Sequence, residues 1–163
     1  MSPSATLTRD GVVGSRSLII PDVHRSLTDG AIARGGARSR SALLKHAHLH
    51  LRTLALRQTR RDDTSFATVL RLIAALTQDG SATPQISSNG EGGILVEWLV
   101  AGSSLAIDYE DETEILISAA TPAGLRFAET MTSWWSQGDS AVVKARAFLS
   151  EISAAVARPI PLI

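Results

Sequence analysis

Hydrophobic residues along this chain follow two different periods. From residue 41 to 77 they recur every three or four positions, from 84 to 129 every second position, and from 140 every three or four again. The first spacing marks a helix with one buried face, the second a strand with one buried face. Over 41–60, Leu44, Ala47, Leu51, Leu54 and Ala55 form a helical stripe, with Ser41 as its expected N-cap. Asp62-Asp63-Thr64 breaks the pattern, and Asp63 or Thr64 can cap a second helix over about 65–77. Phe66, Val69, Leu70, Ile73, Ala74 and Leu76 supply its buried face. Gly80 is its candidate C′ residue, and Pro84 confirms that helical structure has ended.

The alternating segment predicts strands. Ile86 opens a short one, and Asn89-Gly90 and Gly92-Gly93 turn the chain. Ile94–Val100 is the clearest strand. Leu105, Ile107 and Tyr109 then alternate with polar or small neighbours after a turn at Ala101-Gly102-Ser103. Ile115 and Ile117 follow the Asp111-Glu112 turn, and Leu125 and Phe127 can open a final strand after Thr121-Pro122-Ala123-Gly124. Connections this short join antiparallel neighbours, since a parallel crossover needs about a dozen residues. Residues 130–138 show no clear period. Asp139 or Ser140 then caps a long helix to about Ala157, ended by Pro159 and Pro161. The expected core is Leu70, Ile73, Val96, Trp98, Ile107, Ile117, Phe148 and Ile152.

These elements define an α+β fold: a three- or four-stranded antiparallel meander flanked by an N-terminal helix and a long C-terminal helix. Residues 62–163 read as the compact domain, 41–61 as a basic amphipathic helix ahead of it, and 1–40 as a flexible basic arm. Gly11, Gly14, Gly30, Gly35 and Gly36 interrupt every would-be helix in that arm.

Charge sharpens this division. The chain is neutral, with 16 basic and 16 acidic residues. Residues 1–61 hold eleven of the basic ones and only Asp10, Asp22 and Asp29 of the acidic ones. Two ends so different favour different partners. The absence of cysteine excludes disulfides and thiolate metal sites. No apolar run reaches the ~18–20 residues that span a bilayer, and Leu18-Ile19-Ile20 is too short for a signal peptide. The Arg- and Ser-rich start superficially resembles a transit peptide, but the expectation is a cytoplasmic protein without membrane association.

Each candidate for chemistry has a plainer competitor. His46 and His50 lie four apart on the first helix and could supply two metal ligands, but His24 is the remaining candidate third histidine apart from His48, so a solvated basic face is expected instead. Asp108, Glu110, Asp111, Glu112 and Glu114 crowd a hairpin tip, where alternate side chains diverge rather than converge on a cation. Glu97 and Asp108 can share one face of adjacent strands and act as an acid–base pair in a hydrolase, the least favoured reading. No nucleophile motif, P-loop or dinucleotide fingerprint occurs. No catalytic residue, resident metal or cofactor is therefore assigned.

Partner binding carries more weight. Arg34, Arg38, Arg40, Lys45, Arg52, Arg57, Arg60 and Arg61 form a basic cluster suited to phosphates or to an acidic surface, without the aromatics or helix-turn-helix of a sequence reader. The competing reading folds this cluster onto the chain's own acidic part, or onto another copy's. Trp134 and Trp135 are consecutive and cannot easily both be buried, so one of them is expected in a protein interface.

Pro84-Gln85-Ile86, Asn89-Gly90-Glu91-Gly92-Gly93, Ile94-Leu95-Val96-Glu97-Trp98 and Leu105-Ala106-Ile107 together resemble a helix-then-strand module of a group of small bacterial proteins. The resemblance covers about a third of the chain. It implies the helix–meander build and no activity. The expected function is non-enzymatic: a small interaction protein that binds a protein partner, antitoxin- or immunity-like in build by analogy only. Its basic N-terminal part would be free for nucleic acid or an acidic surface. The alternative is an assembly component, a homo-oligomer whose basic arm packs on acidic faces of neighbouring copies.

Overall fold

The structure, a computed structural model, describes residues 38–57 and 63–157. The elements run α1 (Arg40–Arg57), α2 (Asp63–Leu76), β1 (Gln85–Ser88), β2 (Ile94–Val100), β3 (Ser103–Tyr109), β4 (Ile115–Thr121), β5 (Gly124–Met131) and α3 (Ser140–Ala157). The strands form one antiparallel sheet in sequence order, β1 to β5. The fold is α+β, as the periodicity predicts. The meander has five strands rather than three or four. The count grows by one or two at the sheet edges, where Ile86 and Leu125-Phe127 mark strands but alternation is weakest: β1 is four residues long, and most of β5 is solvent-exposed.

One face of the sheet makes the core. Pairing sets Ile94, Tyr109, Ile115 and Met131 in one row, Val96, Ile107 and Ile117 in the next, and Trp98, Leu105 and Ala119 in a third, all buried. α3 packs across β2–β5 on this face with Val142, Ala145, Phe148, Leu149 and Ile152. Phe148 meets Phe127 edge to face. From α2 the core takes Val69, Leu72, Ile73 and Leu76. Leu70 is only half-buried, because the helix turns Leu72 inward in its place. α1, which the sequence sets ahead of the domain, adds Ala47 and Leu51 to the same cluster, and Leu43 beside them is fully buried.

Turn chemistry determines the register. Asn89 Oδ1 accepts the N–H groups of Glu91 and Gly93, closing the β1–β2 turn. A Cβ at Gly93 would collide with the Asn89 side chain and push it off these two bonds, so glycine keeps the turn closed. Ala101 and Gly102 both take positive φ (49° and 81°), as a two-residue type I′ hairpin requires. Asp111 Oδ1 accepts from the Thr113 hydroxyl, the Thr113 N–H and the Glu114 N–H at the β3–β4 tip. These bonds, led by the Thr113 hydroxyl, hold the Asp111 carboxyl below its ordinary range.

The helices are tied together at the C-terminal end of α2. Ser39, not Ser41, caps α1: its Oγ accepts from the Ala42 N–H, and its carbonyl from the Leu43 N–H. The Arg40 N–H donates to Asp79 Oδ1 (2.7 Å). The Arg40 guanidinium donates to the carbonyls of Thr77 (3.0 Å) and Ala74 (2.8 Å), and Arg146 of α3 donates to that of Ala75 (2.8 Å). The unsatisfied carbonyls and negative dipole end of α2 thus meet two arginines from its two neighbouring helices. Gly80 takes its positive φ (81°) beyond the end of α2, in the turn closed between Gln78 and Ser81.

Candidate interaction surface

The helices cover one sheet face. On the other face, pairing aligns Ser87, Leu95, Asp108, Leu116 and Thr130 in one row, and Gln85, Glu97, Ala106, Ser118 and Ala128 in the next. Leu99, Ser104, Ala120 and Leu125 make the third, and no described element packs over them. Leu99 is 55% exposed and Leu125 70%. A register shift between Ala119 and Ala120 leaves Arg126 without a cross-strand partner at the rim.

Two carboxylates stand in the middle of this face. Glu97 and Asp108 lie diagonally across the β2–β3 ladder, Leu95 opposing Asp108 and Ala106 opposing Glu97. They share a face, as their alternation predicts. Asp108 accepts a hydrogen bond from Asn89 Nδ2 (2.8 Å). Glu97 has no hydrogen bond or ion pair among the described residues, and desolvation among its apolar neighbours pushes its carboxyl above its ordinary range. A carboxylate pair of this kind, flanked by Leu95, Leu99 and Leu116, suits a cation carried on an apolar partner surface.

The basic cluster is distributed differently. Arg38 donates to Thr83 Oγ1 and Arg40 is committed to α2. Lys45, Arg52 and Arg57 are exposed on α1. Arg34, Arg60 and Arg61 lie outside the described residues, as does His24. Among the described members, Arg38 and Arg40 are thus engaged by Thr83 and α2, whereas Lys45, Arg52 and Arg57 face solvent. The His46 and His50 rings are 4.3 Å apart. Burial, then His50 and Arg38, lower the His46 pKa. Among the described residues no three His, Asp or Glu side chains converge on a metal position. A recess of about 180 Å³ beside them, lined by Leu49, His50, Thr53, Leu54, Arg57 and Ile86, is smaller than the ~300–1,000 Å³ typical of ligand pockets.

The tryptophans divide as their adjacency requires. Trp134 is 76% exposed, while Trp135 is half-buried under the Arg71 guanidinium, 4.8 Å from its ring centre. Arg71 also donates to the Ser133 carbonyl, fixing the segment that carries both.

The leucines of the uncovered face are the residues that sequence reasoning missed. Their signal lies in β2: Ile94-Leu95-Val96-Glu97-Trp98-Leu99-Val100 is apolar at nearly every position, the habit of a strand covered on both faces. Among the described residues no helix is long and apolar enough to cross a membrane. No family model, curated protein or solved structure matches the chain.

Proposed function

We propose that the chain is a non-catalytic interaction protein that receives a protein partner on the uncovered face of its sheet. One observation carries this reading: a sheet face over which no described helix packs holds Leu95, Leu99, Leu116 and Leu125 around a half-buried carboxylate, Glu97, that has no partner among the described residues. A contiguous exposed apolar patch marks a contact surface, and a poorly solvated carboxylate within it calls for a cation on the partner. The exposed Trp134 and the remaining α1 cations, Lys45, Arg52 and Arg57, offer further contacts, to the same partner or to an acidic ligand.

The test places a photo-crosslinking amino acid at Leu116, central on the face, and at Val156 on α3 as a control. Discrete adducts from position 116 are expected, with the bound protein identified by mass spectrometry and rebound in purified form. Leu116→Arg should abolish that binding while the circular dichroism spectrum stays unchanged. Adducts from position 156 alone, or binding indifferent to Leu116→Arg, would remove the reading. Retention on duplex and single-stranded ligands across a salt series, compared with Arg52→Gln/Arg57→Gln, tests the phosphate contact separately.

A further inference from the structure

We infer that the occupant of the uncovered sheet face is α1 of a second copy of this chain, which lays its outward leucines on that face and sets Arg52 on the Glu97–Asp108 pair. The inference rests on the reading of that face as a protein-contact surface and names its partner.

The outward side of α1 carries the complementary pattern. Lys45, Leu49, Arg52 and Leu56 are spaced four, three and four apart, so they form one line along the helix. That line lies opposite Leu43, Ala47 and Leu51, which α1 buries. Leu49 is 63% exposed and Leu56 82%. Lys45 and Arg52 have no hydrogen bond or ion pair among the described residues. The stripe thus alternates cations with leucines, as the sheet face sets carboxylates among leucines. Arg52 sits between Leu49 and Leu56 much as the acid pair sits between Leu95, Leu99 and Leu116.

Dimensions agree. An 18-residue helix is about 27 Å long at 1.5 Å per residue. Five strands spaced about 4.8 Å apart give a face roughly 24 Å across. A helix laid over it covers on the order of 500 Å² per partner, at the lower end of specific interfaces, so the association is weak and concentration-dependent.

Two alternatives fail on charge and geometry. Stacking two uncovered faces on each other would press two Glu97–Asp108 pairs together with their like charges desolvated. Within one copy, α1 packs on α2 and β1 with its stripe turned away from its own core, so the contact joins different molecules. It is head-to-tail: every copy offers one helix and one sheet face, and assembly grows into a ring or filament.

The experiment uses the full chain in sedimentation and light scattering. Wild-type mass should rise with concentration over roughly 10–500 µM at low salt and fall toward the monomer as salt screens the pairs. Arg52→Glu and Glu97→Arg should each weaken association at least tenfold. Mixed in equal amounts, they should regain association, because the unaltered helix of one meets the unaltered sheet face of the other and the two reversed charges attract each other across the second contact. Leu99→Arg replaces Glu97→Arg if the latter fails to fold. A wild type that stays monomeric throughout this range overturns the inference, as does an associating wild type whose two variants do not pair. If the Leu116 probe then still captures a different protein, the surface reading survives without the second copy. If it captures nothing, both fall.

Discussion

Replacing Arg40 with Met separates a structural arginine from a phosphate-binding one. The aliphatic stem is retained and the guanidinium lost. With it go two hydrogen bonds, to the carbonyls of Thr77 (3.0 Å) and Ala74 (2.8 Å). Each contributes about 0.5–1.5 kcal/mol net. A cation at an exposed helix C-terminus contributes a further ~0.3–1 kcal/mol. The Nη2 bond is solvent-exposed and the Nε bond only part-buried, so the total loss should be about 1–3 kcal/mol. Urea denaturation followed by circular dichroism measures it, with an unchanged m-value expected. Arg52→Met, which removes an exposed side chain with no partner among the described residues, is the control and should shift stability by less than about 0.5 kcal/mol. Arg40→Lys keeps the charge but not the fork, and should fall between Arg40→Met and wild type. If Arg40→Met lies within about 0.3 kcal/mol of wild type, the capping argument is refuted. If it weakens nucleic-acid retention without loss of stability, Arg40 belongs to a ligand site instead.

Trp98→Ala should cost about 3–5 kcal/mol, since the ring is fully buried between the sheet and α3; near-wild-type melting would contradict the sheet–helix packing. Ala101→Asn should raise stability by up to about 1 kcal/mol, because Ala101 holds a left-handed φ of 49° that asparagine tolerates better; a lower urea midpoint would show that Ala101 is not strained. Glu97→Gln, measured on dilute protein, should be more stable than wild type at neutral pH. A carboxyl whose folded pKa is raised binds its proton more tightly when folded, so its ionisation opposes folding above that value. The advantage of Glu97→Gln should shrink as pH falls through the raised pKa and vanish below the ordinary carboxylate range; an advantage constant with pH would assign it to something other than ionisation.

The elements were legible because their signals are local. Ile94–Val100 and Ser103–Tyr109 alternate around a two-residue turn, and the register follows from that turn and the buried phase. Ser140–Ala157 carries its start at Asp139-Ser140 and its apolar stripe within one continuous stretch. The ends of α1 and α2 were less legible, because what satisfies them is distant in sequence. Arg40 reaches carbonyls 34 and 37 residues away, and Arg146 one 71 residues away. Nothing near Ala74 or Thr77 announces an arginine partner. The inward choice of Leu72 over Leu70 has the same origin: both fit a helical stripe, and contacts with α1 and α3 decide between them.

Charge illustrates why a site is harder to read than a fold. Counted along the chain, Arg38, Arg40, Lys45, Arg52 and Arg57 look like one basic segment. Folded, Arg38 and Arg40 lie at the start of α1 and are bonded to Thr83 and to α2, while Lys45 and Arg52 share a line with Leu49 and Leu56. Linear clustering merged two roles that helical periodicity separates. The acidic half behaves in the same way. Asp111, in the densest run of carboxylates, is occupied in closing its own turn, whereas Glu97, isolated in an apolar strand, has no counter-charge among the described residues. A charge placed where solvation is poor and no internal partner exists costs stability unless something external compensates it. The informative charges in this chain are therefore the sparse ones set among leucines, Arg52 on α1 and Glu97 on β2, and the two surfaces that carry them are complementary in both sign and hydrophobicity.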